Sequence, residues 1–254
     1  MPHLTADRRQ LEYRWIPPRQ TGTPPLVLLH EGLGSAELWA DFPDRLAQGT
    51  GCGALVYSRY GYGRSDPLTE PRDIGYLDRE GLVVLPEVLA ARGLESPVLV
   101  GHSDGATIGL IHAADRRWKV RGLVLEVPHV FVEDVTIEGI VRAKAAFTGG
   151  TLRERLRPWH TDVDATFAGW ADTWLQPKFR AWNIGRRLRN IRCPALVIQG
   201  EDDRYGTLAQ VTAIERGSGG PVTTLVLPAC GHAPHVERPE DVLDAIARFV
   251  AAGA

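Results

Sequence analysis

Six short apolar runs recur along the chain, each four or five residues long and rich in Leu and β-branched residues. They occupy residues 26–29, 54–57, 97–100, 122–125, 195–198 and 223–227. None alternates with polar residues, which is typical of strands that a parallel sheet buries on both faces. The stretches between them carry helical spacing, as in Leu82, Leu85 and Leu89, whereas residues 8–16 alternate loosely and predict an antiparallel edge strand. Strands that alternate with helices predict an α/β fold with a doubly wound, mostly parallel sheet.

Residues 131–189 break this rhythm, because no strand-like run occurs there. The stretch holds four of the seven tryptophans, Trp159, Trp170, Trp174 and Trp182, and its pattern indicates helices. We therefore predict a core made of residues 1–130 and 190–254, interrupted by a helical insertion at 131–189.

Composition narrows the classes of function. Hydrophobic residues make up 44% of the chain, enough for a buried core, and the net charge of −2 comes from mixed signs that form no basic surface for nucleic acid. No apolar run approaches the ~20 residues of a membrane span, and the N-terminus lacks the apolar stretch of a signal peptide. The three cysteines fit no metal motif and indicate a reduced, cytoplasmic protein. We expect a small-molecule substrate, no nucleic-acid or membrane partner and no metal or organic cofactor, with a homodimer as one option.

The strongest chemical signal is Gly101-His102-Ser103-Asp104-Gly105, which lies between the third apolar run and a stretch that can begin a helix. This is the G-x-S-x-G pattern in its required context of strand, sharp turn and helix. The turn lifts the serine hydroxyl off the sheet, and the helix N-terminus offers N–H groups to a developing oxyanion. We predict Ser103 as a nucleophile.

A serine needs a base that is itself oriented by an acid, and on this arrangement the acid precedes the histidine in the chain. Glu201, Asp202 and Asp203 follow the fifth apolar run, and their spacing does not choose among them. His232 follows the sixth run and is the predicted base. His235, three residues further on, is its nearest rival and is expected to pack behind the loop.

An oxyanion hole needs two N–H donors. One belongs to the residue after the nucleophile, Asp104, and the other comes from the loop after the first apolar run. We predict Gly32 as that second donor, with Glu31 or Leu33 as alternatives.

Four motifs, in order, make the chain resemble the α/β-hydrolase superfamily nearly from end to end. Residues 30–39 resemble its H-G-x-x-x-S-x-x-x-W oxyanion loop, 59–65 its R-x-G-x-G-x-S loop, 200–203 its G-x-x-D acid loop, and 231–240 its G-H-x-x-x-x-E-x-P-E ending. The resemblance implies a mostly parallel sheet of about eight strands and favours Asp203 as the triad acid. It also implies that the insertion at 131–189 is a helical cap over the substrate.

Three positions depart from the pattern of the family. Glu31 stands where the family usually has Gly, Asp104 where it has an apolar residue or Gln, and Ala106 where it often has Gly. A carboxylate beside a developing oxyanion opposes it by Coulomb repulsion. Glu31 and Asp104 therefore either pair locally, for instance with Arg59, or select a substrate that carries a donor or a positive group.

Three further residues are candidates for the substrate pocket. His129 follows the fourth apolar run, so we expect it to enter the site from beneath the cap, either as a substrate contact or as packing at the cap hinge. Trp159 and Trp174 are expected to face the pocket and to give it an apolar or aromatic acyl site.

The sequence thus predicts a carboxylesterase-like serine hydrolase. Ser103 attacks an ester-like bond, His232 moves the proton, Asp203 holds the imidazole, and an acyl-enzyme forms. A serine at the elbow argues against dehalogenases and epoxide hydrolases, which the chain resembles elsewhere but which use Asp there. A lactonase, a thioesterase and a C–C bond hydrolase remain open on the same triad, and an acyltransferase and a non-catalytic small-ligand receptor remain open as other classes.

Overall fold

An eight-stranded sheet forms the centre of the protein, whose computed structural model describes residues 1–254. The strands are β1 (His3–Ala6), β2 (Arg9–Ile16), β3 (Leu26–Leu29), β4 (Ala54–Tyr57), β5 (Val98–His102), β6 (Gly122–Glu126), β7 (Ala195–Gly200) and β8 (Val222–Leu227). Their order is β1-β2-β4-β3-β5-β6-β7-β8. The pairs β1–β2 and β2–β4 are antiparallel and all others are parallel. This confirms the predicted mostly parallel sheet.

The central strands are continuously apolar because both faces of the sheet are covered. In β3, Leu26 and Leu28 join one buried cluster, which also holds Phe42. Val27 and Leu29 join the cluster on the opposite face. Successive side chains of a strand point to opposite faces, so a strand with two covered faces needs an apolar residue at every position.

Ten helices surround this sheet, some on its two faces and some in a segment between β6 and β7. They are α1 (Phe42–Thr50), α2 (Tyr76–Arg79), α3 (Leu85–Arg92), α4 (Asp104–Ala114), α5 (Asp134–Thr148), α6 (Thr151–Leu156), α7 (Val163–Trp174), α8 (Leu208–Gly217), α9 (Pro234–Glu237) and α10 (Pro239–Ala251). A π-helical stretch, Glu80–Val84, joins α2 to α3. Helices α1 and α10 pack on one face, whereas α3, α4 and α8 pack on the other.

The segment between β6 and β7 is helical and is called the helical insertion, residues 131–189. It contains α5, α6, α7 and short 3-10 turns. Its two ends lie side by side, since Phe131 and Asn183 form an isolated antiparallel bridge. The Ile184 N–H also donates to the Val130 carbonyl oxygen over 2.8 Å. The chain therefore leaves and re-enters the sheet region at one narrow neck.

The helical insertion is docked onto loops at the carboxyl ends of the strands. The His160 ring accepts from the Gly63 N–H at Nδ1 over 3.1 Å and donates from Nε2 to the Leu33 carbonyl over 3.0 Å. The Thr166 hydroxyl donates to the Gly61 carbonyl over 2.6 Å. The insertion thus covers the edge of the sheet where a doubly wound fold binds its ligand.

Residues 8–16 are predicted to form an edge strand, and this position in the sheet is wrong. The segment forms β2, which lies between β1 and β4, and the true edge is the four-residue strand β1. Strand β1 is not predictable from the sequence, because four residues are too few to establish an alternating pattern. None of the helices combines the length and the apolar character that a membrane crossing requires.

Candidate active site

Ser103 forms the turn between β5 and α4 with φ of 52° and ψ of −113°. Residues other than glycine rarely adopt a positive φ, and such strain is typical of functional turns. The turn fits because its neighbours are small. A β-carbon on Gly105 would overlap the carbonyl group of Leu29, and one on Gly101 would overlap the backbone of Ala106.

His232 and Asp203 reach Ser103 from the loops after β8 and β7. The Ser103 Oγ lies 3.0 Å from His232 Nε2, and His232 Nδ1 lies 2.8 Å from Asp203 Oδ1. A β-carbon on Gly200 would overlap the carbonyl oxygen of Cys230, so the glycine allows the two loops to meet. The structure therefore brings the three residues singled out from the sequence into one hydrogen-bonded line.

Among the three adjacent acids, Asp203 is the one that turns inward. Besides His232, its carboxylate accepts from the Gln199 side-chain amide and from the Tyr205 N–H, each over 2.8 Å. Burial raises the pKa of this carboxyl, but the hydrogen bonds and the charge of His232 outweigh burial and hold the pKa below its usual value. The other two acids are solvent-exposed or face outward on the loop.

The rival histidine, His235, lies behind the loop, as expected. Its backbone N–H and its Nδ1 both approach Glu126 Oε2, over 3.1 and 2.9 Å. Its ring packs 4.7 Å from that of Trp39, measured between ring centroids. His235 makes no hydrogen bond to Ser103.

The two N–H groups expected to hold an oxyanion are free of backbone partners. The Asp104 N–H is the first of α4, where a helix supplies no i−4 carbonyl, and the Gly32 N–H donates to no other backbone group. The loop that carries Gly32 is held by the buried Arg59. Its Nη2 donates to the carbonyl oxygens of Glu31 and His30 over 2.7 and 3.3 Å.

The Glu31 side chain folds back across its own loop toward β5. Its Oε2 lies 3.5 Å from Nδ1 of His102, and it covers Gly34 so closely that a β-carbon there would overlap the carboxylate. Burial opposes ionisation, but the hydrogen bonding and charge of His102 hold the pKa of Glu31 well below its usual range. The carboxylate is therefore paired locally, with His102 as its partner.

The Asp104 side chain is also paired. Its Oδ2 accepts from the Tyr76 hydroxyl over 2.6 Å and lies 3.8 Å from Arg59 Nη1. The Tyr76 oxygen in turn accepts from Trp174 Nε1 over 2.8 Å. The buried guanidinium offsets the carboxylate charge, and the hydrogen-bond chain connects the elbow to the helical insertion.

His129 lies between the helical insertion and His232. Its ring centroid is 5.5 Å from that of Trp174 and 5.9 Å from that of His232. Its Nε2 donates to the Tyr205 carbonyl over 3.1 Å, and its buried Nδ1 has no protein partner. Burial, with the nearby charge of His232, lowers the pKa of His129. The ring is neutral at pH 7 and keeps Nδ1 as a free acceptor.

Trp159, which is predicted to face the pocket, lies at the surface of the helical insertion. This side chain is 37% exposed on a 3-10 turn of the helical insertion. Trp170 of α7 lies directly against the loop of the proposed oxyanion donor, because a β-carbon on Gly32 would overlap its indole nitrogen. Trp170 is not among the predicted site residues, although its i,i+4 spacing from Trp174 places both side chains on one face of a helix.

The mostly parallel sheet and the strained serine turn after a central strand are typical of hydrolytic α/β enzymes. Comparison with known proteins identifies the family. The sequence profile of the alpha/beta hydrolase family matches residues 26–245. The chain belongs to this family.

Three similar proteins illustrate how far the likeness extends. The 2-succinyl-6-hydroxy-2,4-cyclohexadiene-1-carboxylate synthase of Salmonella typhimurium (strain LT2) is 26% identical over 267 residues, covering 92% of this chain and 96% of that enzyme. A proline iminopeptidase of Lactobacillus delbrueckii subsp. lactis is 30% identical over 106 residues, covering 41% of this chain and only 36% of that enzyme. A carboxylesterase structure from Nitrososphaera gargenis superposes with a TM-score of 0.80 at 18% identity, covering 99% of this chain and 98% of that chain. Their reactions differ, so the likeness defines family and fold but not a substrate.

Proposed function

We propose that the protein is a serine hydrolase that cleaves an ester-like bond of a small molecule through an acyl-enzyme. Ser103 attacks the carbonyl carbon while His232 takes its proton. His232 then passes this proton to the leaving group, and Asp203 keeps the imidazole in the required tautomer. Water attacks the acyl-enzyme by the same route in reverse and releases the acid.

One observation carries the proposal, namely the unbroken line of hydrogen bonds from Asp203 through His232 to Ser103. Because Nδ1 faces a carboxylate, it holds a proton, which leaves Nε2 as the acceptor for the serine hydroxyl. An oriented base of this kind is what a serine needs to become a nucleophile.

The N–H groups of Gly32 and Asp104 are the proposed oxyanion donors. Removing one such donor costs about 3 kcal/mol of transition-state stabilisation, or roughly a hundredfold or more in rate. The two carboxylates beside them do not oppose the oxyanion with a full charge, since Glu31 faces His102 and Asp104 faces Arg59. This local pairing supports the proposal.

The helical insertion is the proposed cap, and it favours a small acyl group. Ser103 is only 7% exposed. Trp170 of α7 lies against Gly32, and the Trp174 ring centroid lies 5.5 Å from that of His129. We propose that these side chains bound the acyl space. An open cavity of about 300 Å³ borders His232 on the side of Tyr205.

The proposal is tested with p-nitrophenyl esters of rising chain length, together with lactones and thioesters. Native protein should hydrolyse the short-chain esters, and Ser103→Ala should lose that activity. The variant should also resist labelling by a fluorophosphonate, whereas the native protein is labelled once per chain. Activity that survives in Ser103→Ala would overturn the assignment of the nucleophile.

The same experiment separates the alternatives. A lactonase or thioesterase appears as a preference within the panel, and a C–C bond hydrolase requires a diketone substrate. An acyltransferase partitions its acyl-enzyme toward an added alcohol or thiol instead of water. A receptor on this fold would be labelled at Ser103 yet turn over no substrate.

A further inference from the structure

A second histidine lies directly behind the proposed base. His102 is the last residue of β5 and precedes Ser103, and its Nε2 donates to the backbone carbonyl oxygen of His232 over 2.6 Å. Because a carbonyl oxygen can only accept, Nε2 of His102 carries the proton of this bond. The opposite ring nitrogen, Nδ1, faces Glu31 Oε2 over 3.5 Å.

These contacts connect three separate segments of the candidate site. Glu31 belongs to the oxyanion loop, His102 to the strand that ends in the elbow, and His232 to the loop after β8. The Glu31 carboxylate lies within ion-pair distance of Nδ1, which makes no hydrogen bond, while Nε2 donates to the carbonyl oxygen of His232. A negative charge this close favours the doubly protonated ring. The buried His102 side chain therefore contacts the backbone of the base.

Four ionisable groups face His102. Glu31 and Glu126 are acidic, and His232 and His235 contribute rings whose centroids lie 5.4 and 4.9 Å away. Glu126 is engaged by His235, which leaves Glu31 as the carboxylate that contacts His102. Burial lowers the pKa of His102, but the nearby Glu31 carboxylate, with help from the charge of Glu126 and the bond to the His232 carbonyl, raises the pKa to about 8.

We propose that the Glu31–His102 ion pair positions His232. By holding the backbone carbonyl of His232, the pair fixes the loop after β8 at the distance from Ser103 at which His232 Nε2 meets the serine hydroxyl. This inference rests on the proposed serine-hydrolase function. It explains why a carboxylate stands in the oxyanion loop at a position where it makes no contact with the nucleophile. It also gives Glu31 a role other than binding the substrate.

The test compares Glu31→Gln with Glu37→Gln, a matched control on an exposed position of the same loop. The measured quantity is inactivation of the protein by a fluorophosphonate, which needs Ser103 and His232 in register but no known substrate. In Glu31→Gln the limiting inactivation rate should fall roughly tenfold to a hundredfold, since small misplacements of reacting groups have effects of this size. The half-saturating concentration should change less than about twofold, because the pair makes no reagent contact.

Two further readouts exclude a merely structural effect. The native inactivation rate should decline above pH 8 as His102 loses its proton, and this alkaline limb should be missing in Glu31→Gln. Loss of the His102 donor in His102→Leu should lower the rate more strongly, and adding Glu31→Gln to it should lower the rate no further, because both changes act through one ring.

NMR titration of the His102 ring protons tests the pair itself without any catalysis. The signal should titrate near pH 8 in the native protein and below about pH 6.5, the ordinary histidine value, in Glu31→Gln. An unchanged inactivation rate in Glu31→Gln, or an effect on half-saturation alone, would overturn the proposal. Failure of the hydrolase proposal looks different, since Ser103→Ala would then react like native protein while the His102 titration stayed as described.

Discussion

At the scale of single residues, the choice between neighbouring acids is made by the backbone of the loop after β7. The turn directs Asp203 toward His232 and leaves Asp202 at the surface, with its N–H bonded to the Cys230 carbonyl over 2.9 Å. The Gln199 amide and the Tyr205 N–H then fix the Asp203 carboxylate. Two acids that are adjacent in sequence therefore differ completely in what they contact.

Replacing Asp203 with Asn should lower kcat for a p-nitrophenyl ester by about 10⁴-fold, the size of effect known for a triad that loses its acid. The amide presents a donor to His232 Nδ1 and so favours the wrong tautomer. Asp202→Asn is the matched control and should retain native kcat and KM. Equal losses of kcat in both variants would mean that the activity depends on the conformation of the loop and not on the Asp203 carboxylate.

Gly105 is required by the close approach of α4 to β3. A β-carbon there would overlap the Leu29 carbonyl, which is backbone and cannot move aside alone. Gly105→Ala should therefore destabilise the fold by about 1–3 kcal/mol or more, as overpacking does. Gly49→Ala in α1, where nothing lies within 4 Å, should instead stabilise it by roughly 0.5–1 kcal/mol. Urea unfolding monitored by tryptophan fluorescence measures both changes.

Sequence reasoning at this scale works where a residue type is demanded by local geometry, and fails where tertiary contact decides. The serine turn and the glycine beside it follow from one motif, so Ser103 and Gly105 are predictable. The partners of Glu31 and Asp104 are not, because His102 and Tyr76 reach them from other segments of the fold. No spacing rule connects these positions along the chain.

At the scale of elements, α7 is the helix of the insertion that lies against the candidate site, and it is the proposed wall of the acyl pocket. Trp170 and Trp174 lie one helical turn apart on the face that meets the sheet edge. Trp170 rests on the oxyanion loop, and Trp174 donates to Tyr76. The helix is thus connected to the serine turn through Tyr76 and Asp104, and we expect it to limit the acyl space.

Trp170→Ala should open space over Gly32 and shift the ester preference toward longer acyl chains. We expect kcat/KM to rise for longer esters relative to acetate, by roughly tenfold for each 1.4 kcal/mol of additional apolar contact. Trp159→Ala is the control, since that side chain lies on an exposed turn. If both variants retain the native chain-length profile, α7 is not the wall of the acyl pocket.

The elements themselves were predictable to different degrees. The six apolar runs all became strands. Five of them are central strands that are buried on both faces and therefore apolar at every position, whereas the sixth forms β8, an edge strand that is only partly buried. The π-helical stretch between α2 and α3 was not predictable, since its sequence continues an ordinary helical pattern. Functional sites often contain such stretches, and this one carries the buried Glu80, which faces Arg72 over 4.0 Å.

At the scale of the whole molecule, buried neutral histidines make the stability of the fold depend on pH. Burial lowers the pKa of four rings, which are His30, His112, His129 and His160. In the unfolded chain these rings return to about 6.5, so the unfolded state binds more protons as the pH falls below neutrality. Stability is then lost with falling pH. His102 and Glu80 have raised pKa values and so oppose this loss of stability at low pH, but the four rings with lowered pKa values outnumber them.

The free energy of unfolding should therefore decrease between pH 7 and pH 5, with a slope of about 1.4 kcal/mol per pH unit for each net proton taken up. Urea titrations at half-unit steps measure this slope. His112→Asn isolates one contribution far from Ser103, because the Asn amide can replace the bond from Nδ1 to the Gly81 carbonyl but cannot titrate. That variant should be less stable at pH 7, where it loses packing against Trp118, yet show a shallower slope than native protein. A slope that is unchanged in His112→Asn, or a native protein that becomes more stable toward pH 5, would contradict the assignment of these rings as buried and neutral.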